Sequence, residues 1–270
     1  MLKVVISCGL CEEFIGRCLD SVRRQTFTDW QALVTVDRRG DATFERAMEA
    51  RGGDERIVIT RNRRRLYPMV NLIRAIERSD AEAEDIIVTV DGDDWLITDR
   101  AFERIAATYE RYDCWMTYGS WISNDPHKPG RLPAYPDDTA DFRSEPWLGT
   151  AVRTWKKWLW DLVDDDDFRD ASGAYLRITE DLATMFPMLE MATTRRARHI
   201  AEPLMLYNRF SHHDPKRRLA DEAIHNAAWL RSRPRYAPVE RETLRAAAGR
   251  PFTNASSNTS FHEEGTPART

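Results

Sequence analysis

The chain has 270 residues, 42 % of them hydrophobic and 31 % charged, with 10 % aromatics, 9 Trp among them, which is enough apolar surface to build a core and excludes disorder throughout. Its 40 basic and 44 acidic residues leave a formal net charge of −4, so no global positive field draws nucleic acid to it. No apolar run approaches the roughly 18–20 residues needed to span a bilayer, which excludes an integral membrane enzyme and leaves room only for peripheral contact.

Leu2–Ser7 (LKVVIS) reads as a strand, and Glu12–Arg24 as a helix with Phe14, Ile15, Cys18, Leu19 and Val22 at helical spacing. Trp30–Val36 is a second strand ending at Asp37, and Ala42–Ala50 a helix stopped by Gly52 and Gly53. Arg56–Thr60 is a third strand, Pro68–Ile76 a helix opened by proline, and Asp85–Val90 a fourth strand. Strands alternating with helices in this way predict βαβ crossovers and a mostly parallel sheet, with its ligand at the carboxyl ends of the strands. Functional residues are therefore expected just after Ser7, Val36, Thr60 and Val90.

Thr98–Tyr112 is a further helix and Cys114–Trp121 a strand. Asn124–Pro146, rich in Pro and Asp, reads as a long functional loop. Trp155–Leu162 carries Trp155, Trp158, Leu159 and Leu162 on one helical face, which suits core packing, with docking on a membrane surface as the alternative. Asp164–Asp167 reads as a solvated turn, Asp181–Met191 as a helix interrupted at Pro187, and Leu204–Tyr207 as a late strand. After Arg233 the chain is expected to turn helical and polar, with disorder from about residue 251. The expected division is a nucleotide-binding half over 1–97, an acceptor-binding and catalytic half over 98–233, and an extension over 234–270.

The four cysteines are too few for a disulfide scaffold, and the start of the chain lacks a signal-peptide core, so a cytoplasmic setting is expected. Cys8-x-x-Cys11 has no second CxxC or CxxH partner to complete a zinc site.

The chemistry concentrates in Asp91-Gly92-Asp93-Asp94, three carboxylates where a buried strand opens into a loop. They repel one another unless cations or hydroxyls satisfy them. Residues i and i+2 of a strand face one side, so Asp91 and Asp93 can converge on one hard divalent cation, Mn²⁺ or Mg²⁺. The competing explanation is an Asp-rich turn in which Gly92 supplies a positive φ. Asp37 after the second strand and Arg61 and Asn62 after the third add groups able to bind ribose hydroxyls, a base edge and a metal diphosphate in one pocket.

The order of these motifs resembles an inverting glycosyltransferase of family 2 with the GT-A fold, an α/β Rossmann-like sheet flanked by helices, here with a C-terminal helical extension. The resemblance runs over about residues 2–210, beginning with Glu12–Ile15 and Cys18–Trp30 and continuing through Asp37, Asn71 and the DXD-like Asp91–Asp93. It implies a nucleotide-sugar donor, with Asp37 and Asn71 in the nucleotide half, Asp91 on the ribose and Asp93 on the metal. Thr179-Glu180-Asp181 is similar to the family's TED-type element, which would make Asp181 the base that deprotonates a hydroxyl of a saccharide or lipid-linked saccharide acceptor. Taken without the family, Thr179 is a helix cap with two acids in the first turn. His212-His213-Asp214 lies where some GT-A enzymes place a further metal ligand, so His213 is a candidate, and a surface His pair is the alternative. The QxxRW element of processive relatives is absent, which points to single addition. Nucleotidyl transfer and a non-catalytic sugar- or metal-binding module are the rival classes. Against the first stands the loop Cys8–Glu13, acidic and poor in glycine where a phosphate cradle would be basic and glycine-rich.

Overall fold

Apolar residues dominate β1 (Leu2–Cys8), and in the computed structural model six of its seven residues are buried, as a strand covered on both faces requires. The structure describes residues 1–128, 130–210 and 219–240. Met1–Pro238 forms one compact unit; Val239–Thr270 is a second, described only at its first two residues.

Three strand–helix–strand units follow one another: α1 (Ile15–Arg23) leads to β2 (Trp30–Val36), α2 (Thr43–Arg51) to β3 (Ile57–Arg61), and α3 (Tyr67–Glu77) to β4 (Ile86–Asp91). Gly52, left-handed at φ 56°, ends α2 where the sequence stops it. β1 pairs parallel with β2 and β4, and β2 with β3, so four strand ends open onto one edge. The remaining strands and α-helices among the described residues are β5 (Trp95–Leu96), α4 (Ala101–Tyr112), β6 (Met116–Ser123), β7 (Arg153–Lys156), α5 (Lys157–Trp160), α6 (Glu180–Arg196), β8 (Ala197–Tyr207) and α7 (Ala220–Ser232). The eight strands lie in the order β3-β2-β1-β4-β7-β6-β8-β5. Beyond β4 the sheet is mixed: β7 is antiparallel to β4 and β6, β8 parallel to β6 and β5 antiparallel to β8. This is the expected α/β architecture, with its parallel half first.

Four local expectations change. The Trp155 region is not one helix: Trp155 pairs with Ile87 and Met116 as part of β7, fully buried, and only Lys157–Trp160 makes a helical turn. Trp160 stacks between Trp155 and Phe168, so this aromatic stripe is core and not a membrane face. Pro187 does not interrupt α6, which is buried over Leu182–Ala192 and breaks instead at Thr193. Burial of that apolar stretch outweighs the one hydrogen bond that proline removes. Asp167 is not solvated; it is buried and takes Nε of Arg233 at 3.0 Å and the hydroxyl of Tyr236 at 2.7 Å. Helix α7 precedes Arg233 instead of following it, and Pro234–Glu240 has no regular structure. The segment from residue 251 lies outside the described residues. No described helix is long and apolar enough to cross a membrane.

Candidate active site

Strand ends bring two clusters to the parallel edge. In the first, Asp37 follows β2, is 4 % exposed and accepts three hydrogen bonds: Asn62 Nδ2 and Leu66 N–H on Oδ1, each at 2.9 Å, and Tyr67 N–H on Oδ2 at 3.0 Å. Asn62 also donates to Asn71 Oδ1 at 2.8 Å, tying the β3 exit to α3. A carboxylate at the start of α3 satisfies orphan N–H groups and lies favourably in the helix dipole. Asp37, Asn62 and Asn71 thus form one buried chain. Arg61 is not part of it: its side chain turns to α2, donates to Glu45 at 2.9 Å and lies 5.1 Å from the Phe44 ring.

Three arginines surround the same corner. Arg65 lies 3.9 Å and Arg177 5.5 Å from the Tyr67 ring. Burial, then the charge of Arg39, holds the Arg65 guanidinium below its ordinary range, and Arg177 acts in the same direction. Arg177 is itself paired with Glu222, Nε to Oε1 at 3.0 Å, so of the three, Arg39 and Arg65 are the like charges without an ion pair among the described residues, and at this strand-end edge they favour an anionic ligand. The runs Arg38-Arg39 and Arg63-Arg64-Arg65 are visible in the sequence, but only the fold adds Arg177 from the loop before α6.

The second cluster starts at the end of β4. Gly92 N–H donates to Ser7 O at 3.0 Å, holding the loop against β1. Gly92 has no positive φ; a Cβ there would stand 2.6 Å from Cys8 Sγ and 3.0 Å from Cys11 Sγ, so close approach is the reason for glycine. The cysteines of the CxxC pair are therefore packing partners of this loop, free and buried like the other two. The three carboxylates of the loop separate. Asp94 is buried and accepts the Asn208 N–H at 2.8 Å, fastening the loop to the end of β8. Asp91 lines a cleft with Ser7, Leu72, Thr89, Arg153, Glu180 and Asp181. Asp93 is half-buried, and among the described residues no hydrogen bond or ion pair reaches its carboxylate.

Across the cleft stands the start of α6. Thr179 occupies the N-cap position at φ 69°, a conformation that costs a β-branched residue energy, and its hydroxyl turns to Ile178 O instead of capping the helix. The simple helix-cap explanation of Thr179 therefore fails. Asp181 Oδ2 lies 3.5 Å from Arg153 Nη1, and Oδ1 accepts its neighbour Leu182 N–H at 3.0 Å. Glu180 is half-buried. Burial and then the charges of Asp181 and Asp91 push its carboxyl up to about 7, against the pull of Arg153. For Arg153 burial works against the charge, and the facing carboxylates, Asp181 first, outweigh it and hold its pKa above the ordinary value. Arg153 carries no sequence signal, because it comes from a strand legible only once β7 has slotted beside β4.

The oxygens of Asp91 and Asp93 suit a hard divalent cation that takes one or two carboxylates and completes its shell with phosphate and water. Among the described residues no group of three or more His, Cys, Asp or Glu is placed to hold a metal ion. His213 lies outside the described residues.

The family model of glycosyl transferase family 2 matches residues 3–169. A comparison with curated proteins finds no match. Among solved structures the chain is similar to S. aureus TarS, with 16 % identity and a TM-score of 0.58 over 77 % of this chain and 36 % of that one. It is also similar to S. aureus TarS 1-349 in complex with UDP-GlcNAc, with 16 % identity and a TM-score of 0.55 over 77 % of this chain and 58 % of that one. The mannosyltransferase PcManGT from Pyrobaculum calidifontis, in complex with GDP-Man and Mn²⁺, is similar at 13 % identity and a TM-score of 0.59 over 87 % of this chain and 65 % of that one. This chain thus spans about a third of TarS and less than two thirds of the other two. The matched span ends before Glu180 and Asp181 but takes in β1 through β7 with the loop at Asp91, more than half of the 270 residues, and on it the chain belongs to glycosyl transferase family 2.

Proposed function

We propose that the chain transfers a single sugar from a nucleotide-sugar to a hydroxyl of a saccharide or lipid-linked saccharide, with inversion at the anomeric carbon. The observation that carries this reading is the cleft in which Asp91, at the end of β4, faces Asp181, at the start of α6. UDP-GlcNAc in TarS and GDP-Man with Mn²⁺ in PcManGT support the donor class. The Asp37–Asn62–Asn71 chain shapes the nucleoside end, Asp91 takes the ribose, and Arg39 and Arg65 face the diphosphate, with Arg177 beside them already paired to Glu222. Asp93, with Asp91 beside it, would hold Mn²⁺ or Mg²⁺, which neutralises charge on the departing diphosphate when bound.

Asp181 accepts the proton of the acceptor hydroxyl as its oxygen attacks the anomeric carbon and the bond to the diphosphate breaks. Arg153, 3.5 Å from Asp181 Oδ2, orients that carboxylate. A cytoplasmic setting belongs to the same proposal, supported by four cysteines that are all free thiols.

The test is a screen of nucleotide-sugars for slow hydrolysis with and without Mn²⁺. Release of a nucleoside diphosphate, lost in Asp93→Asn, is expected. Pyrophosphate in its place would indicate nucleotidyl transfer, and no turnover with any donor would leave a binding module. A product with retained anomeric configuration by NMR would refute Asp181 as the base.

A further inference from the structure

An open groove of about 590 Å³ lies far from the cleft just described, along the free side of β8. β8 pairs with β6 on one side, but on the other β5 reaches only Met205 and Leu206, leaving Ala197–Glu202 as an open edge. Helix α4 forms one wall and the segment around Tyr135 and Asp137 the other. The groove meets the far end of α6 at Thr194, thirteen residues past Asp181, which at 1.5 Å per residue is about 20 Å away.

Its lining has a defined chemistry. Arg111 and Arg198 lie 5.2 and 5.4 Å from the ring of Tyr112, which is 44 % exposed. Neither has an ion pair among the described residues, whereas Arg104 is neutralised by Glu202 at 2.9 Å. Arg198 Nε is buried without a hydrogen-bond partner, a donor whose desolvation nothing in the protein offsets. Ile200 O is turned toward Gly119 of β6, 3.1 Å from its Cβ position, so strand alternation aims the N–H and C=O of His199 into the groove. Burial holds the His199 imidazole below its ordinary pKa, so the cationic groups here are the arginines. An anion between two guanidinia, hydroxyls that both donate and accept along a strand edge, and an apolar ring face against Tyr112 together describe one ligand class. The edge carries charged side chains and ends against Pro203, which blunt a strand against addition of a peptide.

We propose that this groove is a second, non-catalytic saccharide site that takes an acidic sugar, its carboxylate or phosphate held by Arg111 and Arg198. The volume falls in the range of small-ligand sites. Its use, holding an acidic glycan as acceptor, rests on the proposed function; the binding itself does not.

Calorimetric titration of the full chain tests it with a galacturonate tetrasaccharide, glucose 6-phosphate, neutral maltotetraose, inorganic phosphate and a short poly-glutamate peptide. The uronate tetrasaccharide or the phosphorylated sugar should bind, and the tighter of the two identifies the anionic group. Arg111→Gln and Arg198→Gln should each weaken it about tenfold, the loss of one charge-assisted hydrogen bond. Arg111 is exposed, so its variant carries the test even if Arg198→Gln misfolds. Asp93→Asn should leave this binding unchanged, which separates failure here from failure of the donor reading. The inference is overturned if neither acidic sugar binds, if maltotetraose binds as well as they do, or if phosphate or the peptide binds as tightly, the mark of an adventitious anion site.

Discussion

The two halves of the sheet place their functional groups by different physics. In the parallel half, Val4, Ile6, Val34, Val88 and Val90 belong to one buried apolar cluster, and Asp37 and Asp91 stand where its strands end. Non-directional burial over many side chains fixes those positions, so no single contact decides them. In the mixed half, Glu180 and Asp181 open a helix with an uncapped, left-handed N-cap, and beside its buried apolar stretch that helix also depends on a directional polar anchor. Glu190, three turns along α6, forms a bidentate pair with Arg143 at 2.6 and 3.0 Å, both buried. Arg143 also donates to Leu230 O, and Glu190 accepts the Tyr236 N–H at 3.0 Å, so one ion pair joins the long loop, α6 and the chain after α7. The lesson is that the mixed half is the vulnerable one, because a directional buried pair fails when either partner is removed.

The largest expected effect tests whether the mixed half supplies the chemistry. Asp181→Asn should lower turnover by about 10²–10⁴-fold while melting within a few degrees of the parent. Near-normal turnover in Asp181→Asn together with loss in Glu180→Gln would move the base by one residue. Next comes the anchor: Glu190→Gln leaves Arg143 buried without its counter-charge and should cost about 3–5 kcal/mol in denaturant unfolding. Calorimetry should still find nucleotide binding in that variant at low temperature. If binding falls with stability, the halves do not behave separately.

In the parallel half, Gly92→Ala drives a methyl into Cys8 and Cys11 and should cost about 1–3 kcal/mol. Adding Cys8→Ala should return part of it, and full additivity of the two changes would place the clash elsewhere.

The smallest effect sharpens the comparison through pH. Folding raises the Glu180 carboxyl from 4.5 to about 7, so between those values the native chain keeps a proton that the unfolded chain has lost. Stability therefore declines as pH rises through that window, and Glu180→Gln should flatten the decline in thermal melts recorded from pH 4.5 to 7.5. Glu180 ionises as pH passes about 7 and places a second negative charge beside the proposed base, so turnover should change through that pH in the parent and lose the step in Glu180→Gln.

Continuous apolar runs and the turn residues between them were enough to read β1 to β4 with their helices, and so to place Asp37, Asn62 and Asp91 at one edge, since a parallel sheet leaves its strands little choice of direction. The same local pattern misled at Trp155 and Pro187, where pairing with β4 and burial of α6 outweighed helical spacing and proline propensity. Arg153, Arg177, the Arg143–Glu190 anchor and the separation of Asp94 from Asp91 and Asp93 all depend on partners distant in the chain: Arg143 and Glu190 are 47 residues apart, Asp94 and Asn208 114. The sequence by itself determined the fold class and the strand-end carboxylates, because hydrophobic periodicity and loop position are local properties. Only the tertiary structure decided which charges share a cleft, because an electrostatic partner is set by distance in space and not by spacing along the chain.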